Sequence, residues 1–489
     1  MQRAEQAEKS GDKAQAADLL RQAAEAGNTV AMQRMGELCL SGTDGVAKDA
    51  QKAVQWFEKA AAAGSVRAKF CLATCADTGA GMAKDPAKAL SLWKEAAEGG
   101  DSAAMVMMGL ACANGYAGQQ KNAPLAVEYY KKAADAGNVD ACYYLGVCYD
   151  LGKGVEKDAA KAVEFAKKAA DKGHAAACDF MGKAVLLGYG GCKQDYTAAA
   201  RYFTVAAGKN IPDSLVHLAK LLLNGLGVDK DAELAVTCLE RAAALHHPEG
   251  TCILGACYDA GVGVEKNSAK ALELWKVAAA AKNPRALYYL GRSVAIGHAT
   301  DKDEKKAAQL YEVAAALGDV QANYEFGLCL LNGKGVDRNE TKGAAHLAMA
   351  AKAGDASAMV ELGRCFEEGR GVEKSHEKAV DFWRAAAATG NETAASLLTP
   401  PAKPAEGAQD NTPVAEEEPV AEDPAAHEDA AKPEPEAKPE PEKPAAKPQP
   451  EKSSQKPSSA SKPKSTKPSA KPSNKKPAPS RKKTSSSRA

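Results

Sequence analysis

Between Val139 and His174 the apolar residues fall into two helical stripes separated by a glycine loop. Ala141, Leu145, Cys148 and Tyr149 recur at i, i+4, i+7 and i+8, the spacing of an amphipathic helix. Gly146 leaves no side chain beside that stripe, so a neighbouring helix can come close. Gly152 and Gly154 end the helix, because glycine is at ease where φ is positive. Asp158 is an N-cap for a second helix with an apolar face of Ala162, Phe165, Ala169 and Ala170, and Gly173 closes it. Two short helices with one stripe each cannot bury those stripes alone. The unit requires stacked neighbours.

The neighbours are present. First helices open at Asn28, Ser65, Asp101, Asn138, His174, Ile211, His247, Asn283, Asp319, Asp355 and Asn391, in steps of 36 or 37 residues. That spacing defines ten full repeats, numbered 1 to 10 from Asn28, with a partial helical segment before and a stub after. Most of the openers are N-cap types, and Pro212, Pro248 and Pro284 sit where a first turn accepts proline. Second helices open at Asp49, Asp85, Asn122, Asp158, Asp195, Asp231, Asn267, Asp303, Asn339 and Ser375, all capping residues. About eight positions on, many repeats place a large aromatic: Phe57, Trp93, Tyr130, Phe203, Trp275, Tyr311, Trp383. At helical spacing these are core anchors.

Some repeats depart from the pattern. Ala73 and Ala219 replace the glycine within the first helix, and the loops Gly115-Tyr116-Ala117-Gly118 and Gly297-His298-Ala299-Thr300 lack the second glycine of the motif. The glycine that ends the second helix becomes Asn210, His246 and Lys282 in three successive repeats. Side chains other than asparagine resist a left-handed cap by about 1 kcal/mol. The helices are therefore expected to end differently there, with a change of superhelical pitch around residues 205–285.

The residues Ala141, Leu145-Gly146, Tyr149, Gly152-Lys153-Gly154-Val155, Asp158, Lys161-Ala162, Phe165, Ala169-Ala170 and Gly173 resemble the Sel1-like repeat, a relative of the tetratricopeptide repeat. The loops Gly261-Val262-Gly263-Val264, Gly333-Lys334-Gly335-Val336 and Gly369-Arg370-Gly371-Val372 carry the same signature. The resemblance implies an all-α fold, an α/α superhelical solenoid, and a usual role as an adaptor in complex assembly or signalling. It divides the chain into a partial repeat or cap over 1–28 and a solenoid over 29–398. Two segments expected to be disordered follow, a proline-rich acidic linker over 399–451 and a basic Ser/Pro/Lys tail over 452–489. The last two carry 19 of the 24 prolines and no Cys, Trp, Tyr or Phe beyond residue 399, too little apolar surface to offset ordering entropy.

Net charge of +1 gives no global bias toward nucleic acid or membrane, but residues 452–489 hold 12 Lys/Arg and no acid. Lys475, Lys476, Arg481, Lys482 and Lys483 mark a candidate surface for phosphate backbones or other anionic surfaces. No run of about 20 apolar residues is present, so no transmembrane segment is expected. The first residues lack the apolar core of a signal peptide, which points to a cytoplasmic protein. Five cysteines, Cys75, Cys148, Cys257, Cys329 and Cys365, share one helical phase and read as small buried filler in a reducing compartment.

Catalytic, cofactor and metal sites are not expected. The loop Gly152-Lys153-Gly154 follows a helix rather than a strand and lacks a third glycine, against a nucleotide-binding reading. H-E-x-x-H and C-x-x-C are absent. The resemblance also reaches a cysteine-rich branch of the family associated with β-lactamase activity, the remote alternative function. S-x-x-K occurs at Ser10–Lys13, Ser91–Lys94 and Ser375–Lys378, without S-D-N or K-T-G, and Ala134 stands where that branch pairs a cysteine with the position of Cys142.

Binding is the default function. By analogy with tetratricopeptide geometry, Phe70, Tyr143, Arg285, Tyr288, Arg292, Tyr324 and Arg364 line a concave groove for a protein or peptide partner. Repeats 8 to 10 thereby present arginine and tyrosine, residue types favoured at interface hot spots, to which an acidic side chain or a carboxylate is suited.

Overall fold

The computed structural model describes residues 2–42 and 45–398, and the linker and basic tail lie outside the described residues. Regular structure there consists of 23 α-helices and two short 3-10 turns, Tyr116–Gly118 and Tyr189–Gly191. Nearly every helix has 13 residues, and each packs against its chain neighbours on both sides. The apolar stripes merge as the repeats stack. One continuous core runs from Ala166 in repeat 4 to Leu290 in repeat 8.

The caps lie where the sequence places them. Asp158 accepts the Lys161 N–H at 3.0 Å and Asn138 the Ala141 N–H at 3.0 Å, and the corresponding residues act alike elsewhere in the array. Ile211 has no capping side chain, and its helix begins instead on Pro212, which has no N–H to satisfy. His174 and His247 cap through Nδ1, each accepting a backbone N–H at 3.1 Å.

In six repeats the glycine within the first helix is a seat for the aromatic ring of the second. A Cβ added to Gly36, Gly182 or Gly255 would fall within 2.5 Å of Phe57, Phe203 or Trp275. Repeat 4 solves the same contact differently. Ala166 occupies the ring's place, Gly146 meets the backbone of Ala162 and Ala166, and Phe165 is only half-buried, stacked on Tyr149 at 5.7 Å. Phe165 is thus a flank of the core and not its centre.

Trp275 and Trp383 donate their indole N–H to the carbonyls of Cys252 and Val360, both at 3.2 Å. In repeat 2, Ala73 replaces the seat glycine, the Phe70 carbonyl in the equivalent place accepts from Thr74 Oγ1, and Trp93 Nε1 is buried without a partner. A buried hydrogen bond contributes about 1 kcal/mol. Trp275→Phe should therefore cost about 1 kcal/mol more than Trp93→Phe, as read from denaturant midpoints; equal losses would contradict this account of the seat.

The second glycine of each loop is an inter-repeat joint. Gly154 has φ of 75° and lies against the Ala123 carbonyl of the preceding repeat; Gly263 has φ of 69° and lies against Ala232. The loops that lack this glycine keep its backbone: Ala117 and Ala299 take φ of 53° and 56°. Each is accompanied by a clamp to an aspartate one repeat back. Tyr116 donates to Asp77 at 2.5 Å, and His298 Nε2 lies 2.8 Å from Asp259. Tyr189 makes the same bond to Asp150.

The three altered helix ends do not differ from the others. Asn210, His246 and Lys282 adopt left-handed φ of 59°, 60° and 62°. Asn283 N–H bonds the Ala278 carbonyl at 3.1 Å, as Asn138 N–H bonds that of Ala133 at 3.0 Å. The hydrogen bonds on either side, and the cap that must begin one residue later, over-determine the backbone and hold a side chain where glycine is usual. The local reason for a pitch change over 205–285 is therefore absent.

Three pairs of consecutive first helices touch directly, Ala175–Leu187 with Pro212–Asn224, Pro212–Asn224 with Pro248–Ala260, and Pro284–Ile296 with Val320–Asn332. Consecutive second helices make no comparable contact among the described residues. Closer spacing on one side makes that side the inner one. First helices line it.

Candidate partner-binding surface

On the first helices the second, sixth and ninth residues after the cap stay at least partly exposed, and side chains from successive repeats meet there. Lys183 lies 2.9 Å from Asp179 on its own helix and 2.7 Å from Asp213 on the next. Lys220 reaches Glu249 at 2.6 Å. Across repeats 5 to 7 the ninth residue of one first helix thus bonds the second residue of the next. His217 stands inside this ladder, stacked on Phe203 at 4.9 Å. Burial, with Lys183 and Lys220 nearby, pushes its pKa down to about 4. The Asp213 carboxyl is held well below the carboxylate range, first by its hydrogen bond to His247 and then by Lys183.

The caps strengthen the same edge. Asp319 accepts the Ala322 N–H with one oxygen and pairs with Arg285 through the other at 3.1 Å. His247 caps with Nδ1 and places Nε2 3.0 Å from Asp213. Asp355 likewise accepts from Ala358 and from Gln321 one repeat back. Each cap fixes its own helix and ties it to the preceding one.

The expected groove residues occupy two separate regions. Phe70 and Tyr143 lie in repeats 2 and 4, half-buried; Arg67 sits over the Phe70 ring at 4.5 Å and Tyr143 stacks on His174 at 4.7 Å. Arg285, Tyr288 and Arg292 share the helix Pro284–Ile296, with Tyr324 and Arg364 on the next two first helices. Tyr288 is 8 % exposed and packs on Tyr311 with ring centroids 6.1 Å apart, so it is chiefly a core residue. Arg285 is held by Asp319, and Arg364 by Glu361 at 3.0 Å. Arg292 is exposed and has no ion-pair partner among the described residues. Its guanidinium opposes the upward shift that burial imposes on the Glu325 carboxyl. The cluster therefore interleaves arginines with carboxylates, and Arg292 is the cation it offers. The basic-tail candidates lie outside the described residues.

The inner ladder was not anticipated. Its signal is the pair of opposite charges at the ninth position of one first helix and the second of the next, Lys183 with Asp213 and Lys220 with Glu249.

Ser375 Oγ caps its helix by accepting the Lys378 N–H at 3.4 Å. No disulfide joins the thirteen cysteines. Burial pushes Cys71 and Cys252 up to about 12 and Cys148, Cys257, Cys329 and Cys365 up to about 11, which disfavours the reactive thiolate. No group of three His, Cys, Asp or Glu among the described residues is placed to hold a metal, and no helix there is long and apolar enough to cross a membrane.

The Sel1 repeat model matches residues 6–28, 29–65, 67–101, 102–138, 139–174, 175–210, 212–247, 248–283, 284–319, 320–355 and 356–391. A protective antigen of uropathogenic Escherichia coli strains, with an SLR fold, is 30% identical over 79% of this chain and 84% of its own, with a TM-score of 0.64. A Sel1 repeat protein from Oxalobacter formigenes is 26% identical over 63% of this chain and 90% of its own, with a TM-score of 0.47. No curated protein matches.

Proposed function

The chain belongs to the Sel1 repeat family, and from that premise we propose that it is a non-enzymatic scaffold that holds a protein or peptide along the inner face of its first helices. The observation that supports this reading is the joining of that face across repeats 5 to 7, where Lys183 bonds Asp213 and Lys220 bonds Glu249. A ligand laid along it meets side chains held in register by a rigid stack rather than by loops. In repeats 8 to 10 Arg292 is the anchor for a partner carboxylate, with Tyr324 beside it on the next helix. Phe70, Tyr143, Arg285 and Arg364 frame the same face. Cysteines without a disulfide suit a reducing, cytoplasmic setting.

Arg292→Ala and Tyr324→Ala, each tested by affinity capture and mass spectrometry, should weaken capture of the wild-type partner at least tenfold while leaving the melting temperature in place. Unchanged capture would reject the assignment. Tyr288→Ala is a poor probe here, since it empties a core position.

A second reading rests on residues 452–489, whose 12 Lys/Arg without an acid suit electrostatic attachment to nucleic acid or an anionic surface. Replacing Lys475, Lys476, Arg481, Lys482 and Lys483 by glutamine should then lower DNA binding and flatten its salt dependence. Absence of binding at low salt in the unaltered chain would remove this reading.

A further inference from the structure

At two repeat boundaries the ninth residue of one first helix and the second of the next form an ion pair, Lys183 with Asp213 at 2.7 Å and Lys220 with Glu249 at 2.6 Å. Between repeats 8 and 9 the same two positions hold Arg292 and Gln321. The cation is kept, and the acid has become an amide. Gln321 carries no charge to neutralise a guanidinium, and its side-chain nitrogen donates to Asp355 at 2.8 Å. The other arginines of the cluster have carboxylates of their own, Arg285 in Asp319 at 3.1 Å and Arg364 in Glu361 at 3.0 Å. Arg292 is exposed and has neither an ion pair nor a hydrogen bond among the described residues.

A carboxylate in the same condition lies on the adjoining first helix. Glu325, the sixth residue after the cap of repeat 9, is half-buried and makes no ion pair or hydrogen bond among the described residues. Burial pushes its carboxyl up, Arg292 and then Lys334 hold it down, and Asp355 adds to the rise. Asp355 is already engaged, by Ala358 and by Gln321. Arg292 and Glu325 thus act on each other across the boundary without pairing. Tyr288 lies in the field of both charges and Tyr324 in that of Glu325. Opposite charges that are partly desolvated and unpaired favour a ligand that meets both at once.

We propose that this open rung of the ladder takes an acid–base pair of a protein partner. An Asp or Glu side chain completes the rung on Arg292, and a Lys or Arg near it in the partner, one turn away on a helix or on the same face of a strand, meets Glu325. The proposal rests on the inner face being the binding side and adds a basic neighbour to the carboxylate that Arg292 anchors. A run of acids or a phosphate dianion is opposed by Glu325, and a wholly basic segment by Arg292.

The test pans random dodecapeptides displayed on phage against the immobilised full chain, then measures synthetic copies of the recovered peptides by fluorescence polarisation. The expected result is enrichment of sequences with Asp or Glu within one helical turn of Lys or Arg. Arg292→Ala should weaken their binding at least tenfold and Glu325→Gln at least threefold, both with an unshifted melting temperature. Changing the peptide's acid to Gln should cost the wild type but not Arg292→Ala, and changing its base to Gln should cost the wild type but not Glu325→Gln. Absence of enrichment, or a base whose loss costs wild type and Glu325→Gln alike, overturns the proposal. So does sedimentation as a dimer that Arg292→Ala dissociates, since the rung then belongs to a second copy. Peptides that need Arg292 and an acid but no base remove the role of Glu325 and leave the inner-face reading in place. If capture of the partner is also indifferent to Arg292 and Tyr324, that reading goes with it.

Discussion

Replacing Gly263 with valine splits the unfolding of the solenoid into two transitions and destabilises the joint between repeats 6 and 7 by about 2–5 kcal/mol. Two costs add. A β-branched residue at the left-handed φ of 69° loses about 1–2 kcal/mol. Its Cβ would also fall well inside van der Waals contact of the Ala232 carbonyl, and such overpacking costs about 1–3 kcal/mol. The obstructing atoms are backbone at the start of a second helix, so they cannot rotate away. In a stacked array each repeat depends on its neighbours' interfaces, and weakening one joint uncouples the two sides. Chemical denaturation followed by circular dichroism checks this. A single transition with an unshifted midpoint would mean that the loop glycine is not a joint.

Stability should also fall as the pH is lowered from about 6.5 to about 4, by on the order of 3 kcal/mol from His217 alone. The folded pKa is about 4 against 6.5 for the free side chain. Between those values the unfolded chain binds the proton and the folded chain does not, so acid favours unfolding, at up to 1.36 kcal/mol per pH unit. The contribution is fully present above the upper value and gone below the lower one. Burial against Phe203 is the main cause; Lys183 and Lys220 add to it, while Asp179 and Glu249 oppose it. His174 and His346, also shifted down by burial, act in the same direction. His217→Phe keeps the stacking and should remove most of the slope between pH 6.5 and 4. Below that range the loss belongs to carboxylates such as Asp213, whose pKa lies lower still. If His217→Phe unfolds with the wild-type pH profile, the imidazole is not the buried group responsible.

Much of this architecture is legible in the residues because capping and close packing are local demands repeated many times. A capping side chain before each second helix has one structural use, and a glycine opposite an aromatic has one reason to lack a side chain. Features that depend on the offset between repeats are harder to read. Lys183 and Asp213 are 30 positions apart and meet only because stacking brings the ninth residue of one first helix to the second of the next. Tyr288 shares a position with Tyr143 and Tyr324, yet it turns into its own repeat against Tyr311. Arg285 looks like an available cation until Asp319 is seen to cap and pair at once. Asn210, His246 and Lys282 look like faults in the pattern, but the surrounding hydrogen bonds hold them in the glycine conformation.

The inner face as the binding side is tested most directly by placing a photo-crosslinking residue at one position at a time in the full chain. Met107, Arg292 and Tyr324 represent the inner side; Val277 and Val313, which are 61 % and 50 % exposed on second helices, represent the outer one. Irradiation followed by mass spectrometry should yield one common partner from the inner positions and none of it from the outer two. Crosslinks to that partner from Val277 or Val313 alone would place binding on the second helices and contradict the assignment.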